Sequence, residues 1–269
     1  MQTCAARAID DAAAAFYADA LQRLEQAAIP HLIGGAFAFA RFTGIDRPTK
    51  DLDIFVRPDD CRRVLSVFAA CGYDTELPFP HWLGKVHCGA NFMDIIFSSG
   101  NGVARVDDLW FAHAADARIF GVPVRLCPPE EMMWSKAFVQ ERERFDGSDV
   151  VHLIRALGPS LDWHRLLSRF GEHWRVLFAH IVTFGYVYPD RRAHVPDWVA
   201  AELARRLAAE GSEPGNRVCN GTLLSREQYL VDLERLGYRD ARTEPNGPMT
   251  REEANIWTAA IEDMKDGGD

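Results

Sequence analysis

Several sequence signals that would define a class of protein are absent from this chain. No uncharged apolar run among its 269 residues approaches the roughly 20 residues that cross a bilayer, so no membrane-spanning segment is predicted. Residues 1–11 lack the basic and apolar regions of a signal peptide. The pattern G-x-x-x-x-G-K-[ST] is also missing, which argues against a P-loop kinase.

Positive charge is in short supply. The chain has 30 Lys and Arg residues against 39 Asp and Glu residues, and the formal net charge of −9 weakly disfavours a large nucleic-acid partner. Its six cysteines show no Cys-x-x-Cys spacing, which argues against a structural zinc site and predicts reduced thiols in the cytoplasm. With 48% hydrophobic and 26% charged residues, the composition is typical of an ordinary globular protein.

The most informative stretch runs from residue 30 to residue 56. An apolar segment from His31 to Ile33 meets Gly34 and Gly35, and a helix-compatible stretch follows. Glycine lets the backbone approach a ligand closely, and the free N–H groups at a helix start attract phosphate. The glycine pair therefore predicts a phosphate-binding turn, with an ordinary turn as the alternative.

Two aspartates follow on a predicted strand. Because side chains alternate between the faces of a strand, Asp51 and Asp53 are expected on one face and Leu52 and Ile54 on the other, in the core. Neighbouring carboxylates repel each other, and burying either one uncompensated is expensive. A cation between them removes both costs. The pair therefore predicts a Mg²⁺ site, with a solvated strand edge as the alternative.

A third acid, Asp94, interrupts the otherwise apolar strand predicted at 91–97. A buried aspartate is rare unless it is paired or bound to a metal. Two interpretations stay open at this point: a metal ligand that joins the first two acids, or a partner of an Arg or Lys in a salt bridge.

One series of residues carries a family resemblance: Gly34, Gly35, Arg47, Thr49, Asp51 and Asp53. In this order and spacing the series resembles the signature of the DNA polymerase β-like nucleotidyltransferase superfamily. Within it, the chain is similar to the minimal bacterial branch that includes AbiEii-type toxins and small-molecule nucleotidyltransferases. That branch commonly has Gly-Ser where this chain has Gly-Gly, and Thr49 is the candidate to supply the missing hydroxyl. The resemblance covers roughly residues 28–155.

The resemblance implies a cytoplasmic bacterial transferase that moves a nucleoside monophosphate from a triphosphate such as ATP to an acceptor hydroxyl and releases pyrophosphate. It assigns catalysis and metal binding to Asp51, Asp53 and Asp94, with two Mg²⁺ or Mn²⁺ ions about 3.5–4 Å apart. Asp94 is expected beside the acceptor hydroxyl, where it takes the proton. The expected acceptor is a small molecule, a tRNA end or a protein side chain. The residues expected to bind the nucleotide are Gly34, Gly35, Arg47, Thr49 and Lys136.

The same residues are compatible with other functions. The chain could be an inactive nucleotide-binding or toxin–antitoxin module of the same fold, or a metal-dependent phosphohydrolase that uses the same acids. For Lys136 the alternative to phosphate binding is a solvated helix lysine. Asp146 and Asp149 are interpreted as local caps or ion pairs rather than as metal ligands.

The predicted fold class is α+β, with a small mixed β-sheet flanked by helices and followed by a helical domain and a helical tail. The predicted domains are a catalytic nucleotidyltransferase domain at 1–127, a helical domain at 128–209, and a linker with helices packing on the body at 210–269. Two prolines, Pro128 and Pro129, mark the first boundary.

Two capping-box patterns predict helices in the tail. One runs from Ser225 to Gln228 and the other from Thr250 to Glu253. The first is expected to open a helix that extends to Gly237 and buries its apolar side chains. Four residues are further candidates for an acceptor pocket: Arg217, Arg226, Tyr229 and Arg242.

Overall fold

The computed structural model describes residues 11–211 and 215–266. The chain divides into two compact units. The first comprises the residues up to Gly100 together with Arg105–Pro128, and the second comprises Asn101–Ala104 together with the residues from Pro129 onward.

The first unit is built on a seven-stranded sheet. Its elements in chain order are α1 (Asp11–Gln26), β1 (Leu32–Ile33), α2 (Gly35–Thr43), β2 (Asp51–Phe55), α3 (Pro58–Ala70), β3 (Asp74–Phe79), β4 (Leu83–Cys88), β5 (Asn91–Ile96), α4 (Asp108–Ala112), β6 (Ala115–Ile119) and β7 (Val122–Leu126).

The strands lie in the order β3-β4-β5-β2-β1-β7-β6. The sheet is mixed, because β2 runs parallel to β5 and β1 parallel to β7, whereas the other neighbours are antiparallel. This arrangement places the two acid-bearing strands, β2 and β5, side by side at the centre of the sheet.

One face of the central strands forms the core of the first unit. Leu52 and Ile54 of β2 and Met93 and Ile95 of β5 are fully buried, as the alternation in sequence predicts. Helix α3 packs on β3, β4 and β5, and α1 contacts β5 and β7. The acidic residues of both strands therefore point to the opposite face.

The second unit is mostly helical. Its elements are α5 (Pro129–Ala137), α6 (Gly147–Leu157), α7 (Trp163–Phe170), α8 (Trp174–Val187), α9 (Asp197–Ala209), β8 (Val218–Cys219), α10 (Leu230–Glu234), β9 (Arg239–Asp240) and α11 (Arg251–Asp266). Aromatic side chains fill its core, as in the stacking of Phe138 on Phe170 with ring centroids 5.9 Å apart.

A buried ionic cluster ties α5 to α7 in this unit. The Glu131 side chain is fully buried and accepts hydrogen bonds from Arg165 Nη1 at 2.6 and 2.8 Å and from Arg169 Nε at 2.9 Å. Because each carboxylate oxygen has a guanidinium donor, the cost of burying the charge is offset locally.

The two capping boxes have different outcomes. Thr250 and Glu253 form the predicted reciprocal pair, with Thr250 N donating to Glu253 Oε2 at 2.8 Å and Glu253 N donating to Thr250 Oγ1 at 3.2 Å, and α11 follows. The prediction of a helix from Ser225 to Gly237 is wrong. Ser225 Oγ accepts from Gln228 N, but the next helix is only the short α10, with Tyr229 and Leu236 exposed.

The physical reason is a distant carboxylate. Glu141 accepts a hydrogen bond from Ser225 Oγ at 2.7 Å and from the backbone N–H of Arg226 at 3.1 Å. Arg226 Nε also donates to Glu141 at 2.9 Å. These contacts hold the start of the segment in a turn, where local helix signals cannot act.

The predicted α+β class is confirmed: a mixed sheet flanked by helices precedes a helical unit. Within residues 11–211 and 215–266, no helix has both the length and the apolar content needed to cross a bilayer.

Candidate metal and phosphate site

The sheet register brings the three predicted acids together. Asp53 and Asp94 are direct partners in the parallel pairing of β2 and β5, and Asp51 lies two residues before Asp53 on the same face. One oxygen from each of the three carboxylates lies within 4.8 Å of the others, and all three residues are half-buried.

The donor set fits a hard divalent cation. Three carboxylate oxygens at this separation repel one another in the metal-free protein, and oxygen ligands of this kind suit Mg²⁺ or Mn²⁺. Asp51, Asp53 and Asp94 are therefore the residues that would hold a metal ion in the first unit.

Asp94 also takes part in a salt bridge. Lys85 Nζ lies 2.6 Å from Asp94 Oδ1, with the two side chains 22% and 15% exposed. Burial raises the pKa of the Asp94 carboxyl; the hydrogen bond and charge of Lys85 oppose that rise, and the negative charge of Asp51 adds to it. The salt-bridge interpretation of Asp94 is thus observed, and the metal-ligand interpretation stays a prediction.

Gly34 and Gly35 lie directly against Asp53 and its strand. Gly34 N donates to the Asp53 carbonyl at 3.0 Å, and Gly35 opens α2 with a φ of +51°. A Cβ on Gly35 would lie 1.6 Å from Asp53 Oδ2, and a Cβ on Gly34 would lie 2.1 Å from the Phe55 ring. The glycine pair therefore places the start of a nine-residue helix beside the carboxylates.

Thr49 contacts the same cluster. Its Oγ1 donates to Asp51 Oδ1 at 2.6 Å, so the hydroxyl orients one of the three carboxylates. The guanidinium of Arg47 lies 4.5 Å from the centroid of the Phe39 ring, which belongs to α2. A cation over an aromatic face is an attractive arrangement, and it attaches the segment before β2 to that helix.

Lys136 belongs to the second unit, where it is not a solvated helix lysine. Its side chain is 17% exposed, and its ammonium lies 2.9 Å from Asp146 Oδ2 and 2.8 Å from Asp149 Oδ2. Burial raises the pKa of Asp146, but the hydrogen bonds from Arg144 and the charge of Lys136 outweigh it and hold that pKa below its usual value. Asp146 and Asp149 are ion-pair partners, as the sequence indicated.

Two of the acceptor-pocket candidates are paired with carboxylates instead. Arg242 is only 2% exposed and donates to Asp240 through Nε and Nη2. Arg226 is bound to Glu141, as described above. These guanidinium groups stabilise the fold of the second unit.

The sequence reasoning missed Lys85. It lies on β4 directly opposite Asp94 in the antiparallel pairing of β4 and β5. The next residue on the same face of β4, His87, contacts Glu76 of β3 through Nε2 at 2.9 Å. The polar surface that begins at Asp51 and Asp53 therefore continues across β4 to β3.

Comparisons with known proteins give structural similarity alone. No protein-family model and no curated protein matches the chain. Among solved structures, it is similar to the antibiotic-resistance factor ANT(2'')-Ia at 17% identity, with 75% of this chain and 96% of that chain covered and a TM-score of 0.40. It is similar to the lincosamide antibiotic adenylyltransferase LnuA at 16% identity, with 54% and 96% covered and a TM-score of 0.38.

A third similar structure is an antigenic nucleotidyltransferase-like protein from Paracoccidioides brasiliensis, at 15% identity, with 69% of this chain and 92% of that chain covered and a TM-score of 0.47. Likeness at this level does not carry a function, so the function rests on the geometry of the carboxylates and the glycine turn.

Proposed function

We propose that this chain is a divalent-metal-dependent nucleotidyltransferase. It transfers a nucleoside monophosphate from a nucleoside triphosphate to an acceptor hydroxyl, and pyrophosphate leaves. The observation that carries the proposal is the meeting of Asp51, Asp53 and Asp94 within 4.8 Å beside the glycine turn that opens α2.

The chain's own residues divide the work between phosphate and acceptor. The N–H groups at the start of α2 attract phosphate oxygens, because they have no partners within the helix and lie at its positive end. Asp51 and Asp53, on the strand beside that turn, hold the metal that accompanies the triphosphate. Thr49 orients the Asp51 carboxylate. Arg47 offsets phosphate charge at the same end of β2.

Asp94 is the base in this proposal. It lies directly beside Asp53 in the pairing of β2 with β5, and a carboxylate within hydrogen-bond reach of the acceptor hydroxyl can take its proton. The acceptor oxygen attacks the α-phosphorus, the bond to the β-phosphate oxygen breaks, and the acceptor proton goes to Asp94. Divalent metal held by these carboxylates would neutralise charge on the triphosphate and on the attacking oxygen.

Three finer points belong to this proposal. Mg²⁺ is the expected ion, and the assignment of Lys136 to the triphosphate stays a prediction from the family resemblance. The narrower resemblance to AbiEii-type and small-molecule nucleotidyltransferases stays a prediction. The acceptor is a small molecule, a tRNA end or a protein hydroxyl.

The test is a screen of labelled nucleoside triphosphates with Mg²⁺ against these acceptor classes, with pyrophosphate release followed. Wild-type protein should form pyrophosphate and labelled acceptor, and Asp53→Asn should reduce the rate at least about 1,000-fold, since charge stabilisation supplies most of catalysis in such reactions. Asp116→Asn, which removes one negative charge from exposed β6, is the matched control and should remain active.

Two outcomes would contradict the proposal. Release of inorganic phosphate in place of pyrophosphate would favour a phosphohydrolase. Stabilisation by Mg²⁺ and nucleotide in a thermal-shift assay, without transfer to any acceptor class, would favour an inactive nucleotide-binding module.

A further inference from the structure

The register of the strands sets the position of Lys85. The residues that face one another across four strands are Asp53 on β2, Asp94 on β5, Lys85 on β4 and Glu76 on β3. Directly opposed side chains on one face of a sheet are the pairs that interact. The lysine is therefore next to Asp94 on the side away from Asp53.

Two contacts hold the Lys85 side chain in place. Its ammonium lies 2.6 Å from Asp94 Oδ1 and 4.3 Å from the centroid of the Phe92 ring, which precedes Asp94 on the same face of β5. An ammonium over a ring face is attracted by the ring quadrupole, and partial burial strengthens that attraction. The side chain is 22% exposed, so the cation is part of the site and not a mobile surface group.

The charges of the carboxylates and of Lys85 limit the number of divalent ions that the site binds. Counted alone, the three carboxylates and the Lys85 ammonium have a formal charge of −2, which one divalent ion cancels. A second divalent ion would have to displace or approach an ammonium that is already bonded to Asp94, and like charges at such distances repel strongly in a half-buried site.

We propose, on the basis of the proposed nucleotidyltransferase function, that Lys85 is a built-in cation that replaces one of two divalent ions. The metal-free site then binds a single divalent ion among Asp51, Asp53 and Asp94, and the ammonium of Lys85 holds Asp94 on the other side. Lys85 is in this sense a positioning residue, because it acts through Asp94.

The test counts bound Mn²⁺ by electron paramagnetic resonance, at about pH 8, where an ordinary imidazole is neutral. The proteins are wild type, Lys85→Met, Lys85→Arg and Asp53→Asn. Arg62→Met, which removes one positive charge from the exposed side of α3, is the charge control. Ions that Asp53→Asn still binds are subtracted as unrelated to the site.

Wild type, Lys85→Arg and Arg62→Met should each bind one Mn²⁺ at the site, and Lys85→Met should bind two. Two ions in wild type, no ion in wild type, or one ion in a folded Lys85→Met would overturn the inference. The wild-type count stands even if Lys85→Met does not fold.

This inference and the proposed function can fail separately. If wild type binds two Mn²⁺ ions and forms pyrophosphate, the proposed role of Lys85 fails and the transferase function holds. If wild type binds one Mn²⁺ ion and Lys85→Met binds two, but the protein transfers no nucleotide, the role of Lys85 holds and the proposed transferase function fails.

Discussion

The Asp53 carboxylate occupies the space that a side chain on Gly35 would need. A Cβ on Gly35 would lie 1.6 Å from Asp53 Oδ2, and Gly35 has a φ of +51°. The second glycine of the pair is therefore required by the acid that follows it 18 positions later, as well as by the turn into α2.

Gly35→Ala should damage the site more than the fold. The methyl group must displace the Asp53 carboxylate, and a misplacement of about 1 Å can cost about 100-fold in rate. We expect nucleotide transfer to fall about 100-fold and Mn²⁺ affinity at least tenfold, with a loss of about 1 kcal/mol in the free energy of unfolding from the positive φ. Transfer assays, Mn²⁺ titration and urea unfolding measure the three quantities.

Gly44→Ala is the matched control for that variant. Gly44 ends α2 with a φ of +70°, and a Cβ there would meet nothing within 4 Å. It should lose similar stability and keep its Mn²⁺ affinity. Equal losses of Mn²⁺ affinity in both variants would mean that backbone strain, and not contact with Asp53, explains the effect.

Asp51→Asn should stabilise the metal-free protein. The charge of Asp51 raises the pKa of Asp94, which means that the two carboxylates repel each other. The amide oxygen of asparagine can still accept the hydrogen bond from Thr49. We expect a gain of about 1 kcal/mol in EDTA, because unit charges about 4 Å apart near a protein surface interact by about 1–4 kcal/mol.

Thermal unfolding in EDTA with and without 0.5 M salt, roughly the range in which screening removes surface effects, measures that gain. Asp116→Asn, with the same change in net charge at an exposed strand, should gain little. An Asp51→Asn protein no more stable than that control would show that repulsion within the carboxylate cluster is small.

Glu131→Gln should destabilise the second unit severely. Its fully buried carboxylate accepts from Arg165 and Arg169, so the variant removes one charged partner from each guanidinium group, while Arg165 keeps its ion pair with Glu130. Breaking a buried pair in this way costs about 3–5 kcal/mol. Urea unfolding followed by tryptophan fluorescence measures the change.

The exposed pair of Asp190 and Arg191 provides the comparison. Its side chains are 72% and 56% exposed, and Asp190→Asn should leave the urea midpoint unchanged within error. A Glu131→Gln midpoint equal to that of Asp190→Asn would show that the buried cluster contributes no more than a surface pair.

Stability should fall as pH drops below about 6.5. Burial lowers the pKa of His180, a residue that is 3% exposed and donates through Nε2 to the Ala137 carbonyl at 2.8 Å. Between the ordinary pKa and the lowered one, the unfolded chain binds a proton that the folded chain does not. Stability is therefore present above pH 6.5 and is lost at up to about 1.4 kcal/mol per pH unit below it.

His180→Gln should reduce the loss between about pH 7.5 and pH 5.5. The reduction is partial, because burial also lowers the pKa values of His31 and His173. His113→Gln, at an exposed position, should keep the wild-type dependence. Urea midpoints across this pH range measure the effect, and a wild-type slope in His180→Gln would assign the loss to other groups.

Part of the carboxylate cluster could be predicted from a simple rule and part from the family resemblance. Alternation along a strand puts Asp51 and Asp53 on the face away from Leu52. The resemblance implied that Asp94 lies on the adjoining strand, and the pairing of β2 with β5 has it there. Neither step needs the register of distant strands to be known beyond the pairing of β2 with β5.

Lys85 could not be predicted in the same way. Its partner depends on the register of β4 against β5, which tertiary packing and the turn between the strands decide. The Ser225 segment failed for a related reason, since its capping pattern equals that of Thr250 but Glu141, 84 positions away, binds the first segment. Local patterns predict elements well until a distant side chain competes for the same backbone groups.

Because the register of β4 against β5 places Lys85 at the carboxylates, the number of bound Mn²⁺ ions depends on correct strand pairing. If β4 slipped by one position, Lys85 would turn toward the core and Val86, which is fully buried, would turn out to face the acids. Such a misaligned hairpin would keep most of its backbone hydrogen bonds, and circular dichroism would barely register the error. Counting bound Mn²⁺ would reveal it at once, so ion stoichiometry can report how faithfully this sheet assembles.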